Sequence, residues 1–150
     1  GYYYNLKIDK IAHAAIQQIK NGYPVWFASE TTMMDNENGI MELELQDGDM
    51  IFDIETKLCK ADQLDYGGNK VKHAMTLVGV NLRDDHIMEW KVENSWGEDN
   101  GMKGHYTMSH RWFCEYVYEV VIFTEYLDFC DMNEMETIAL KPWSVLGSVA

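Results

Sequence analysis

The sequence predicts an α+β domain, with one amphipathic helix near its start and a set of antiparallel strands after it. Three observations carry this. Ile8, Ile11, Ala12, Ala15, Ile16 and Ile19 recur at helical spacing and form one apolar stripe. Lys72 to Gly104 holds two short apolar runs separated by a polar stretch, the pattern of a β-hairpin. Tyr116 to Phe123 crowds β-branched and aromatic residues together, as a late strand does. The chain has 150 residues, 47% hydrophobic and 13% aromatic, so it can bury a core and is too apolar to stay disordered.

Tyr2 to Lys7 is a short aromatic run with the character of a strand. Asp9 is a candidate N-cap for a helix from Asp9 to Lys20, with Gln17, Gln18 and Lys20 facing outward. Asn21 and Gly22 stop that helix, since both tolerate the left-handed conformation of a C-terminal cap. Pro24 to Ala28 then predicts a buried strand, with Pro24 first, where a missing N–H does least harm. Ser29 to Gly68 is too polar and irregular to be one element. Within it, Ile40 to Leu45 fits a strand or a turn of helix, and Asp49 to Phe52 and Lys57 to Leu64 read as weakly helical.

In the central stretch, His73 opens one run, Ala74 to Val80, and Asn94 closes the next, which begins at Trp90. Asn81 to Asp85 between them predicts a longish loop. A histidine at the start of one strand and an asparagine at the end of its partner would lie close together across the pair. Gly101, Lys103 and Gly104 form a turn, His105 to Met108 another short strand, and Trp112-Phe113 with Tyr116 to Phe123 the last one. Met75, Met88 and Met108 fall within these strands as gap-fillers. Asp128 to Glu136 is an acidic, solvated linker, and the segment from Ala139 to Ala150 is apolar, with Pro142 discouraging helix.

The formal net charge of -13 argues against a general nucleic-acid binder, because phosphate contacts need Lys and Arg. Cys59, Cys114 and Cys130 have no metal-site spacing and read as reduced thiols of a cytoplasmic protein. His13, His86, His105 and His110 lack a companion cluster of ligands, so no metal and no cofactor is expected. No run is long and apolar enough for a membrane helix, and Gly1-Tyr2-Tyr3-Tyr4 is not a signal peptide.

A lone His and Asn would mean no more than a satisfied strand histidine, but here they stand in a longer pattern. His73-Ala74, the apolar run ending at Gly79, and Asn94-Ser95-Trp96-Gly97 resemble the His and Asn blocks of papain-like cysteine peptidases. Val92 to Glu98, Lys103-Gly104, Trp112-Phe113, Glu115 to Val121 and the approach Leu58 to Gly67 resemble the bleomycin hydrolase and aminopeptidase C group more closely. The specificity lies in several blocks recurring in order over nearly the whole chain.

That resemblance implies a papain-like α+β fold, here the antiparallel barrel half with a packed helix. Residues 1–127 would be the barrel side of the peptidase core, with an insertion at about 29–68, and 128–150 a linker and tail. His73 would activate a cysteine thiolate and protonate the leaving amine, and Asn94 would orient its ring. Trp96 would shield the His–Asn hydrogen bond from water. Relatives end in a similar Pro-Trp…Gly…Ala tail that enters the active-site cleft, so Ala150 would present its carboxylate to a substrate's N-terminal ammonium.

Two departures stand out. Ser29-Glu30-Thr31-Thr32-Met33 replaces a short motif that carries a Gly or Ser and a Lys in relatives, a loop on the substrate side. The family's Gln…Cys-Trp nucleophile block is absent from these residues. The chain is therefore expected to be the C-terminal part of a longer cysteine aminopeptidase, acting on peptides and partnered by a missing N-terminal half. The resemblance also implies a homo-oligomer, a hexamer. The alternative is a catalytically inactive binding or assembly module that lacks the nucleophile.

Overall fold

The apolar stripe near the N-terminus forms α1 (Ile8–Lys20) in a computed structural model that describes residues 3–31, 34–43, 59–68, 70–127, 136, 138 and 139. Its inner face buries Ala12, Ala14, Ala15 and Ile16. Asp9 does not cap it. Lys7 is the N-cap and makes no side-chain capping bond, while Asp9 lies in the first turn, where its charge suits the helix dipole. Residues 3–7 form no strand. The C-terminus closes as expected: Gly22, at φ +86°, lets its own N–H reach Ile19 C=O at 2.9 Å and Tyr23 N–H reach Gln18 C=O at 3.1 Å. That pairing satisfies two carbonyls the helix would otherwise leave bare.

Gln18 does not face outward. It is 3% exposed, donates from Nε2 to Pro24 C=O at 2.8 Å and accepts from Phe123 N–H at 2.9 Å. One glutamine thus ties the residue before β1 (Val25–Ser29) to Phe123, distant in sequence.

The remaining elements are β2 (Ile40–Met41), α2 (Lys60–Asp65), β3 (His73–Arg83), β4 (His86–Glu93), β5 (His105–Ser109), α3 (His110–Tyr116) and β6 (Val117–Val121), followed by a 3-10 turn at Thr124–Tyr126. The strands make one six-stranded sheet in the order β2-β5-β4-β3-β1-β6. It is antiparallel except at one edge, where the two-residue β2 runs parallel to β5. Met41 supplies a core side chain there, and Leu43 packs against the same cluster. Ser29 belongs to β1, so the irregular segment begins after it. The expected helix at Asp49 to Phe52 lies outside the described residues, and so does most of 128–150.

The hairpin is tighter than its polar middle suggested. β3 and β4 extend through most of it, with Arg83 paired to His86, and only Asp84 and Asp85 turn the chain. Both have positive φ (48° and 62°), the signature of a two-residue type I′ turn whose twist matches the strands.

Trp112 and Phe113 are not in a strand. They lie in α3, which starts because Ser109 caps it, accepting from Trp112 N–H at 3.2 Å through Oγ. Both rings are fully buried against Val25, Phe27, Trp90 and Val117, in the same cluster as α1's Ala12, Ala15 and Ile16. Of the strand methionines, Met75 and Met108 are in the core, while Met88 is 39% exposed.

Candidate active site

Three strands aim the central residues. Antiparallel pairing of β1 with β3 sets Ser29 opposite His73, and pairing of β3 with β4 brings Asn94 back to the same end of the sheet. Asn94 is then held by its own backbone, whose N–H donates to Gly104 C=O at 2.9 Å. Gly101 makes the return of this loop possible: at φ +59°, a Cβ added there would stand 2.7 Å from His105 C=O.

His73 Nε2 lies 2.8 Å from Asn94 Oδ1. Ser95 N–H also points at that oxygen, at 2.8 Å. A backbone N–H can only donate, so the Asn94 atom facing both groups is the carbonyl oxygen, and it accepts from both. Nε2 of His73 therefore carries the hydrogen. Nδ1 is left as the basic nitrogen of the neutral ring. The Trp96 indole stacks on the His73 ring with centroids 4.6 Å apart and 27° between planes. Asn94 is buried, and its Nδ2 has no partner among the described residues.

The structure thus brings His73, Asn94 and Trp96 together, while Ala150 lies outside the described residues. Cys59 is the exposed N-cap residue of α2, with Sγ 3.0 Å from Asp62 Oδ2. Cys114 sits one helical turn after His110, 3.7 Å from its Nε2. Burial pushes the Cys114 thiol up and the His110 imidazole down, so both favour their neutral forms. That is the opposite of a thiolate–imidazolium pair. Cys130 is not among the described residues. Among those residues, no three His, Cys, Asp or Glu side chains come together to hold a metal ion, and no helix is long and apolar enough to cross a membrane.

Two charged residues went unnoticed as part of this region. Glu30, just after β1, is 2% exposed and pairs with Lys72 at 2.8 Å. Lys60 sends its ammonium to the C=O groups of Cys114, at 3.0 Å, and of Val117, and over the Tyr118 ring. Nothing in composition or periodicity marks a buried charge. The only hint was that Glu30 lies in the loop that departs from the family pattern.

The model of the Peptidase C1-like family matches residues 1–147. The chain belongs to that family. It is 41% identical over 146 residues to Aminopeptidase G of Lactobacillus delbrueckii subsp. lactis, covering 95% of this chain and 33% of that protein. It is 38% identical over 151 residues to Aminopeptidase C of Listeria monocytogenes, covering 99% of this chain and 34% of that protein. The crystal structure of PepW from Lactobacillus rhamnosis superposes with a TM-score of 0.86 at 40% identity, over 97% of this chain and 34% of that one. The α+β, papain-like fold expected from the sequence is the one adopted, and the resemblance to the aminopeptidase C group holds over the full length. The chain spans about a third of the length of the relatives it matches.

Proposed function

We propose that the full-length protein is a cysteine aminopeptidase of the bleomycin hydrolase kind, with His73 and Asn94 as two members of a Cys-His-Asn site. The observation that carries this is the Nε2–H bond from His73 to Asn94 Oδ1, stacked beneath Trp96. It commits one ring nitrogen to orientation and leaves Nδ1 for proton transfer. In the reaction, Nδ1 takes the proton from a cysteine thiol, and the thiolate adds to the scissile carbonyl. The imidazolium then gives the proton to the departing amine, leaving a thioester that water hydrolyses with the same ring as base. No cofactor or metal enters these steps. Asn94 keeps the ring aimed through both half-reactions, and Trp96 limits water's access to the bond.

In this reading the nucleophile comes from polypeptide outside these 150 residues; of the cysteines among the described residues, Cys114 is held as a neutral thiol and Cys59 is exposed beside Asp62. Ala150 would meet the substrate's ammonium, and the assembly would be a cytoplasmic hexamer. The competing reading is an inactive binding or assembly module, favoured by the absence of a Gln…Cys-Trp block here. Release of fluorophore from aminoacyl-coumarins by the full-length protein separates the two. Activity that is blocked by a thiol alkylator and falls by about 10² or more in His73→Ala is expected. Full activity in that variant would sink the assignment.

A further inference from the structure

Glu30 is a buried charged group immediately after Ser29, the strand position that pairs with His73, and the chemistry above gives it no role. Its carboxylate accepts from Thr31 N–H at 2.8 Å and from the Lys72 ammonium at 2.8 Å, both at Oε1. Lys70 N–H approaches Oε2 at 3.4 Å. Its own N–H donates to Tyr116 C=O at 3.2 Å, at the end of α3. Beside it, Lys72 N–H donates to Ser29 C=O at 3.0 Å. Three segments therefore meet at this one residue: the end of β1, the end of α3 through its backbone N–H, and the strap 70–72 through its carboxylate. A buried carboxylate is tolerated only when donors surround it, and here Lys70 N–H and the Lys72 ammonium of the strap are among them, beside Thr31 N–H.

We propose that Glu30 is a positioning residue of the His73 site. Its carboxylate clasps the Lys70–Lys72 strap to the end of β1 and so fixes the backbone from which the imidazole projects. Asn94 holds the ring from one side; Glu30 holds its root from the other. Pairing Lys72 also keeps an uncompensated ammonium away from the ring that must carry positive charge during the reaction. The proposal rests on the peptidase reading above, since the aim of His73 affects a rate only if the ring moves protons.

The test uses the full-length protein with Glu30→Gln, Glu30→Ala, Lys72→Met and the Glu30→Gln/Lys72→Met double variant. Two quantities are read: kcat and KM on an aminoacyl-coumarin, and the downfield proton resonance of His73 Nε2–H, assigned by its loss in His73→Gln. Glu30→Ala is expected to lower kcat about 10-fold or more with KM within about twofold, because a small misplacement of a reacting group costs rate and not binding. Glu30→Gln, similar in shape but uncharged, falls between Ala and wild type. The double variant is no worse than the worse single one, as for two residues acting as a unit. The Nε2–H resonance shifts or broadens in Glu30→Ala and Glu30→Gln. An unmoved resonance, or a rise in KM at unchanged kcat, overturns the proposal. If Glu30→Ala does not fold, Glu30→Gln decides by the same two readouts. A wild type that shows the resonance but has no peptidase activity defeats the functional reading, while the resonance still judges Glu30.

Discussion

The amide of Asn94 sets how the His73 ring is held. With Oδ1 taking hydrogens from Nε2 and from Ser95 N–H, the ring has one tautomer and one orientation. Asn94→Ala removes that constraint, and the ring can turn about its χ2 axis without losing a partner. The expected result is a fall in kcat of about 10- to 100-fold, with KM little changed, the usual cost of losing an orienting partner. Steady-state kinetics on an aminoacyl-coumarin with the full-length protein would check this. At this scale the closeness of His73, Asn94 and Trp96 was legible because they sit in a motif. Glu30 and Gln18 were not, because polarity predicts exposure and only the fold reveals that donors wait for them inside. Gln18 was read as outward-facing for that reason, yet its amide binds both Pro24 and Phe123, the latter 105 positions away in sequence.

Elements follow the same division between local and distant causes. The α1 stripe and its Asn21-Gly22 stop were readable because both are local. The turn at Asp84-Asp85 was not placed: two aspartates look like open loop, and only strand pairing from both sides forces them to positive φ. Asp85→Gly relieves the left-handed penalty of a residue with a Cβ, and should stabilise the protein by up to about 1 kcal/mol. A denaturant midpoint that rises at constant slope would show it. In α3, the aromatic and β-branched composition pointed to a strand, while the Ser109 cap and the burial of Trp112 and Phe113 made a helix. The element most dependent on charge is α2, docked through Lys60. Burial pushes that ammonium down to about 8 from its ordinary 10.5, against the opposing pull of Cys114 and Glu115. Below about pH 8 both folded and unfolded chains carry the proton, and the fold bears the full cost of the buried charge. Between about 8 and 10.5 the unfolded chain binds more protons, so this residue makes stability rise with pH. Compared with Lys60→Met, the wild type should therefore gain up to about 2 kcal/mol between about pH 7 and 9.5, less to the extent that the partly exposed side chain is screened. A constant difference between the two proteins across that range would count against a buried ammonium.

For the molecule as a whole, the sheet has two unequal faces. Val25, Phe27 and Leu77 point toward α1 and α3 and are fully buried. Trp26 and Val121, cross-strand partners on the other face, are 39% and 57% exposed. They share a shallow cavity of about 410 Å³ with Tyr3, Glu119 and Val120. Nearby, Tyr23 and Phe123 meet edge to face, each half exposed. Large apolar side chains exposed together in this way mark a place where something else packs. The chain also spans only about a third of the relatives it matches. About two thirds of each of those relatives lies outside the matched stretch. Taken alone, the 150-residue chain should therefore self-associate despite its net charge of -13, because like-charge repulsion is screened beyond about 10 Å at ordinary salt while apolar contact is not. Sedimentation velocity on the isolated chain should show concentration-dependent oligomers. Trp26→Lys, which places a charge in the middle of the patch, should shift them toward monomer. The full-length protein should instead show a species independent of concentration. A sharp monomer for the isolated chain would mean that this face is self-sufficient, and the partner surface would have to be sought elsewhere on the sheet.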